Sequence, residues 1–196
     1  MGQYYKPSFL NEEKNQVIAT TCPIMTWGTG MKLMEHSYYG VNMVRGVVEL
    51  LKKEFNGFRF VWAGDYADET IGDRNIYDVG SDEDNPVMDF VSLLDTTTAK
   101  DYFGHDVHVL PDKYGEAKYL LNYDKKVAVK LSPNPREEYP IHPLPLLTAE
   151  SNGCGGGDYY SKKDASLVGS WKYDHLGASD ELPEGFTIEK VNFRED

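Results

Sequence analysis

The stretch Ser37-Tyr38-Tyr39-Gly40-Val41-Asn42-Met43-Val44-Arg45-Gly46-Val47-Val48-Glu49-Leu50-Leu51-Lys52-Lys53-Glu54-Phe55, followed by Asn56-Gly57 and Phe58-Arg59-Phe60-Val61-Trp62-Ala63, decides the fold. Val41, Val44, Val48, Leu51 and Phe55 recur at helical spacing, with Ser37 placed to cap the start and Gly57 to end it. That predicts one main helix over about residues 38–55. Gly40 and Gly46 each cost a helix up to about 1 kcal/mol against alanine, so their presence points to close packing against a sheet. Beyond Gly57, Phe58, Phe60 and Trp62 alternate with Arg59, Val61 and Ala63, the period of a strand.

The flanking segments supply the rest of that sheet. Gln3 to Leu10 and Gln16 to Thr21 are β-rich runs joined by five polar residues, and Ala117 to Tyr123 and Val127 to Leu131 flank Asp124-Lys125-Lys126; both read as hairpins. Pro86 to Leu94 reads as a short helix. Prolines 133, 135, 140, 143 and 145 read as an extended strap laid over the core by Leu144, Leu146 and Leu147. Ser166 to Tyr173 and Phe186 to Phe193 read as closing strands. The expected architecture is a single α+β domain over 1–196, a twisted antiparallel sheet of hairpins with the 38–55 helix packed on it.

Composition bounds the function. In 196 residues, 40% hydrophobic and 13% aromatic side chains describe an ordered chain rather than a disordered one. A formal charge of −12 opposes general binding to nucleic acid. Residues 65–106 carry most of it, with twelve Asp and Glu against Arg74 and Lys100. No run approaches the roughly 18 apolar residues of a spanning helix, and Met1 to Lys6 lacks a secretory hydrophobic core. The expected location is therefore cytoplasmic, without membrane contact, with Cys22 and Cys154 as free thiols.

Met1-Gly2-Gln3-Tyr4-Tyr5-Lys6, Lys32-Leu33-Met34-Glu35-His36-Ser37-Tyr38, Trp62-Ala63-Gly64-Asp65-Tyr66-Ala67-Asp68 and Ile141-His142-Pro143-Leu144-Pro145-Leu146-Leu147-Thr148-Ala149-Glu150 together resemble a family of small proteins from bacteria and their phages. The resemblance extends through the glycine loop to Asp158-Tyr159 and to Val168-Gly169-Ser170-Trp171. It implies no particular activity. A phage connection implies host-takeover or defence-blocking roles by analogy. Residues 122–126 and Cys154 depart from the family pattern, so neither Tyr123 nor Cys154 inherits a role.

Several residues carry candidate chemistry. Asp65, Asp68 and Glu69 follow the end of the expected strand, where carboxylates can bind a divalent cation or serve as a base. Glu35 and His36 stand at the entry of the main helix, and His36 with Asp65 makes a sensible general-base pair. His105 and His108 fall on opposite faces of a strand, which opposes joint metal ligation, and no metal ligand set is expected. The Glu150 to Tyr160 loop, with Asn152-Gly153-Cys154-Gly155-Gly156-Gly157 at its centre, can expose successive amides to a phosphate, with Lys162 and Lys163 beyond it to help the anion and Tyr159 and Tyr160 stacking on a base. A Cys154–His142 dyad has no motif behind it.

These signals sum to a non-enzymatic binding protein for a small nucleotide-type ligand, held by Glu35, His36, Asp65, Tyr66, Asp68, Glu150, Asp158 and Tyr159, with no obligatory cofactor. One alternative is an acidic inhibitor that mimics nucleic acid and binds a basic host protein through residues 65–106. The other is a hydrolase or transferase using His36 with Asp65.

Overall fold

The structure, a computed structural model, describes residues 1–80, 82 and 86–194. Its helices are α1 (Pro23–Trp27), α2 (Leu33–His36), α3 (Asn42–Lys52), α4 (Ile76–Val79) and α5 (Pro143–Thr148). Its strands are β1 (Tyr5–Leu10), β2 (Val17–Thr20), β3 (Phe58–Gly64), β4 (Thr70–Ile71), β5 (Arg74–Asn75), β6 (Met88–Asp89), β7 (Thr97–Lys100), β8 (Asp106–Val109), β9 (Tyr119–Asn122), β10 (Val127–Lys130), β11 (His175–Ser179) and β12 (Thr187–Glu189). Eight strands form one sheet in the order β12-β10-β9-β11-β3-β1-β2-β6, while β4–β5 and β7–β8 stand as separate two-stranded ribbons.

The fold is α+β, and the two expected hairpins are present as β1–β2 and β9–β10. The sheet is mixed rather than purely antiparallel, because β6 joins β2 and β12 joins β10 in parallel at the two edges. These short edge strands arrive from loops, so no hairpin geometry dictates their direction.

Met43, Val44, Val47, Val48, Leu50 and Leu51 of α3 are buried in the principal core together with Phe9, Phe60 and Trp62 of the sheet. Phe9 stacks on Phe55 with centroids 4.3 Å apart and tilts against Phe60 at 4.9 Å. The alternation in β3 is real: Val61 and Ala63 join Leu10, Val17 and Ile76 in a second cluster. Both sides of β3 are therefore buried near its end.

The main helix is shorter than expected. Val41 is its N-cap and offers no side-chain bond, while Ser37 Oγ instead donates to the Leu33 carbonyl of α2 at 2.6 Å. Gly46 does mark a close approach, since an added Cβ would lie 2.9 Å from Leu94 Cδ1 and 3.3 Å from Trp27. Its neighbours come from the α1 side rather than from the sheet.

Two further expectations are corrected. The strap contains α5, because Pro143 and Pro145 both fall in its first turn, where a missing N–H costs no helical bond. Residues 166–173 form no strand. Gly169 N–H and Trp171 N–H donate to the Leu146 and Leu147 carbonyls at 2.8 and 2.7 Å, so this segment closes the end of α5. Residues 86–94 give β6 and a 3-10 turn, Phe90–Leu93, in place of an α-helix. Cys22 and Cys154 are free thiols.

Candidate functional site

The end of the sheet where β1 begins and β3 stops is rich in polar groups. Tyr5 hydroxyl donates to Asp158 Oδ1 at 2.8 Å, while Asp158 Oδ2 accepts from the amides of Gly153 and Gly155 at 2.7 and 3.0 Å. Gln3, its amide nitrogen turned toward the acceptors, donates to Asp158 Oδ2 at 3.0 Å and to the Ser151 carbonyl at 2.8 Å. The glycine loop is thus folded around a carboxylate of its own. Two of the amides that the sequence reading offered to a phosphate are committed to Asp158.

Tyr159 is also placed differently from expectation. Its ring is buried against Phe193 at 5.4 Å, and its hydroxyl lies 2.6 and 2.9 Å from the carbonyls of Lys163 and Arg194. It has no free face for a base. Tyr160, one residue on, is the exposed tyrosine of the loop.

His36 is fully buried, with Nδ1 2.8 Å from the Gly30 carbonyl and Nε2 accepting the Trp62 indole N–H at 2.8 Å. An indole nitrogen only donates and a carbonyl only accepts, so the ring is a neutral Nδ1–H tautomer with both nitrogens occupied. Burial lowers its pKa to about 4 against the pull of the Gly30 carbonyl. No ring nitrogen is left to abstract a proton. Asp65 instead accepts the Tyr4 amide at 3.0 Å, and its pKa is raised by burial and by Asp78 and Asp158 nearby. Glu35 is exposed and closes a capping box with Lys32 at the start of α2. Tyr66 and Asp68 are exposed in the turn after β3.

Of the expected site residues, the structure therefore gathers Asp65, Glu150 and Asp158 around the β1 start and assigns Glu35 and His36 to local architecture. Glu150 is the unusual member. Its side chain is buried, Oε1 accepts the Tyr173 hydroxyl, and Oε2 has no partner among the described residues. Burial pushes its pKa up to about 7, opposed by Lys172 and the Gly64 amide and reinforced by Glu69.

Part of the acidic segment is committed to local structure. Asp89 caps the 3-10 turn and accepts from Thr26, Asp82 pairs with Arg74 at 2.5 Å, and Asp101 holds a turn; Glu83 and Asp84 lie outside the described residues. The β7–β8 ribbon, which the sequence reading missed because Thr97-Thr98-Ala99-Lys100 shows no apolar alternation, ends in Tyr102 and Phe103.

A cleft of about 310 Å³ opens where the strap crosses the start of α3, lined by Tyr39, Val44, Arg45, Ala117, Leu131 and His142 among others. The strap is laced to the entry of α3 by Tyr39 N–H to the Pro140 carbonyl at 3.0 Å and His142 N–H to the Ser37 carbonyl at 2.9 Å. The far wall is fixed by Gly115 N–H to Glu49 Oε2 at 2.8 Å and by Arg45 Nε to the Tyr114 carbonyl at 3.1 Å. His142 is buried, with its ring 4.6 Å from that of Tyr39. Nothing in sequence spacing joins residues 39, 117 and 142; only the strap's crossing does. Comparison with protein-family models, curated proteins and solved structures finds no match to this chain. No described helix is long and apolar enough to cross a membrane.

Proposed function

We propose that this chain is a non-enzymatic binding protein whose small ligand occupies the cleft between Tyr39 and His142. The observation that carries the reading is a cleft of about 310 Å³ whose lining is mostly apolar, from Val44, Ala117, Leu131 and Pro133, with Arg45, Glu116 and a buried imidazole beside them. Concave, largely apolar sites with few directed polar groups are the usual form of small-molecule sites. The volume suits a flat bicyclic molecule of nucleobase size. On this reading the ligand leaves unchanged, as from a sequestering protein.

Filling the cleft tests this. Aromatic bicyclic compounds that raise the melting temperature of the wild type, and are recovered intact by mass analysis, should fail to stabilise Ala117→Phe. Equal stabilisation of both proteins would place the ligand elsewhere, and chemical conversion would make the protein an enzyme.

A second reading rests on Tyr102 and Phe103, which are 96% and 79% exposed. Their turn is already ordered, because Asp101 Oδ1 accepts from the amides of Phe103 and His105 at 2.9 and 2.8 Å. An exposed aromatic pair on a fixed turn, flanked by Asp101 and Asp106, suits an apolar hollow with a basic rim on a protein partner. Binding of such a partner should be lost in Tyr102→Ser/Phe103→Ser and weakened by salt; binding indifferent to both would end this reading.

A further inference from the structure

We propose that the cleft selects flat, uncharged ligands that present a carbonyl-type oxygen to the Nε2–H of His142. The inference rests on the cleft reading above and names the chemistry of its ligand.

The argument begins with α5. Its first residue, Pro143, has no N–H, so the first backbone donor in need of a cap is the amide of Leu144. His142 Nδ1 supplies the acceptor at 3.2 Å. A nitrogen that accepts carries its lone pair, so the neutral ring must hold its proton on Nε2. Burial keeps the ring neutral, with a pKa lowered to about 3. The helix cap therefore fixes one tautomer, and that tautomer is a donor.

Nε2 meets no acceptor among the described residues, yet it is not one of the sealed, unpartnered polar atoms, which are Glu150 Oε2 and Ser170 Oγ. His142 is a lining residue of the cleft, and on this proposal Nε2 is the ring atom it presents there. A ligand that can only donate has nothing to offer there, whereas an acceptor oxygen completes the bond.

The walls set the remaining requirements. The Tyr39 ring is inclined 56° to the imidazole, and its hydroxyl is engaged by the Ser132 backbone, so it contributes a hydrophobic face. Arg45 donates to Asn42 Oδ1, the Tyr114 carbonyl and the Pro111 carbonyl at 3.1, 3.1 and 2.5 Å. With Glu116 also on the lining, the site holds one charge of each sign and carries no net charge to favour an ionic ligand. A ketone, amide or nucleobase carbonyl fits these terms better than a carboxylate.

Three probes of nearly one shape separate the possibilities: 2-acetylnaphthalene, its hydrocarbon twin 2-isopropenylnaphthalene, and 2-naphthoate, each titrated by calorimetry. The ketone should bind the wild type about tenfold tighter than either of the others, the worth of a neutral hydrogen bond. His142→Asn keeps a good capping acceptor for Leu144 while withdrawing the Nε2–H. That variant should bind ketone and alkene equally weakly. Should it fail to fold, the ¹⁵N resonance of His142 Nε2 in the wild type gives the same information, shifting with ketone and not with alkene.

Equal binding of ketone and alkene to the wild type would overturn the donor assignment and leave the cleft reading standing. Tightest binding of 2-naphthoate would transfer recognition to Arg45 and overturn the uncharged class. Binding of none of the three would overturn both the inference and the reading beneath it.

Discussion

Replacing Glu150 by glutamine should make the protein more stable at alkaline pH and leave it unchanged in acid. The carboxyl ionises at about 7 in the folded chain against 4.5 when solvated, chiefly because burial penalises the charge. A group whose folded pKa is raised binds its proton more tightly when folded. Its contribution to stability is therefore complete below pH 4.5 and is lost as the pH rises through 7. At 1.36 kcal/mol per tenfold change, the span from 4.5 to about 7 is worth about 3 kcal/mol. The glutamine amide would keep an acceptor for the Tyr173 hydroxyl and never ionise.

Urea unfolding of wild type and Glu150→Gln should agree within about 0.5 kcal/mol at pH 4.5 and differ by about 3 kcal/mol at pH 8, in favour of the variant. At about 2–4 °C per kcal/mol for a domain of this size, the melting temperatures should separate by roughly 6–12 °C. His36 and His142 act with the opposite sign, because pKa values lowered to about 4 and about 3 cost stability as the pH falls below 6.5. Both proteins share them, so they cancel in the difference. A difference that does not change with pH would refute the buried-acid account of Glu150.

Other consequences are as direct. Asp158→Ala strands the Tyr5 hydroxyl and the amides of Gly153 and Gly155, and should cost about 3 kcal/mol by chemical unfolding, with faster amide exchange confined to the glycine loop. His36→Ala leaves the Trp62 indole N–H and the Gly30 carbonyl unpaired in a sealed interior; a loss of about 3–5 kcal/mol is expected, and a loss under about 1 would contradict the structural role. Gly115→Ala meets a backbone φ of 72° and would set a Cβ 1.9 Å from the Arg45 carbonyl oxygen, so it should destabilise by about 2 kcal/mol or more and weaken ligand binding in the cleft.

Local periodicity carried most of the fold. The spacing of Val44, Val48 and Leu51 and the alternation of Phe60 and Trp62 survive packing because both sets end in one core. What failed was governed by neighbours distant in sequence. The α5 helix was hidden because prolines 143 and 145 read as breakers unless the start of the helix is known to fall on them. The parallel edges β6 and β12 are two or three residues long and carry no periodicity of their own.

The site was legible only in part. Glu150 and Asp158 were singled out as ligand-binding carboxylates, but the hydrogen bonds they make depend on Tyr173 and Tyr5, which lie 23 and 153 residues away in sequence. His36 looked reactive because histidine titrates near neutrality; the Trp62 indole that occupies it arrives from β3. His142 was weighed only as a partner for Cys154, and its fixed tautomer follows from a helix that sequence alone did not reveal.

The central claim is that the ligand site is the cleft and not the glycine loop, and amide chemical-shift mapping tests it most directly. Titration with 2-acetylnaphthalene should move the resonances of Tyr39, Ala117, Leu131 and His142, while adenosine monophosphate should leave Gly153, Gly155 and Asp158 in place. Shifts concentrated at Gly153, Gly155 and Asp158, with the cleft unmoved, would contradict the account.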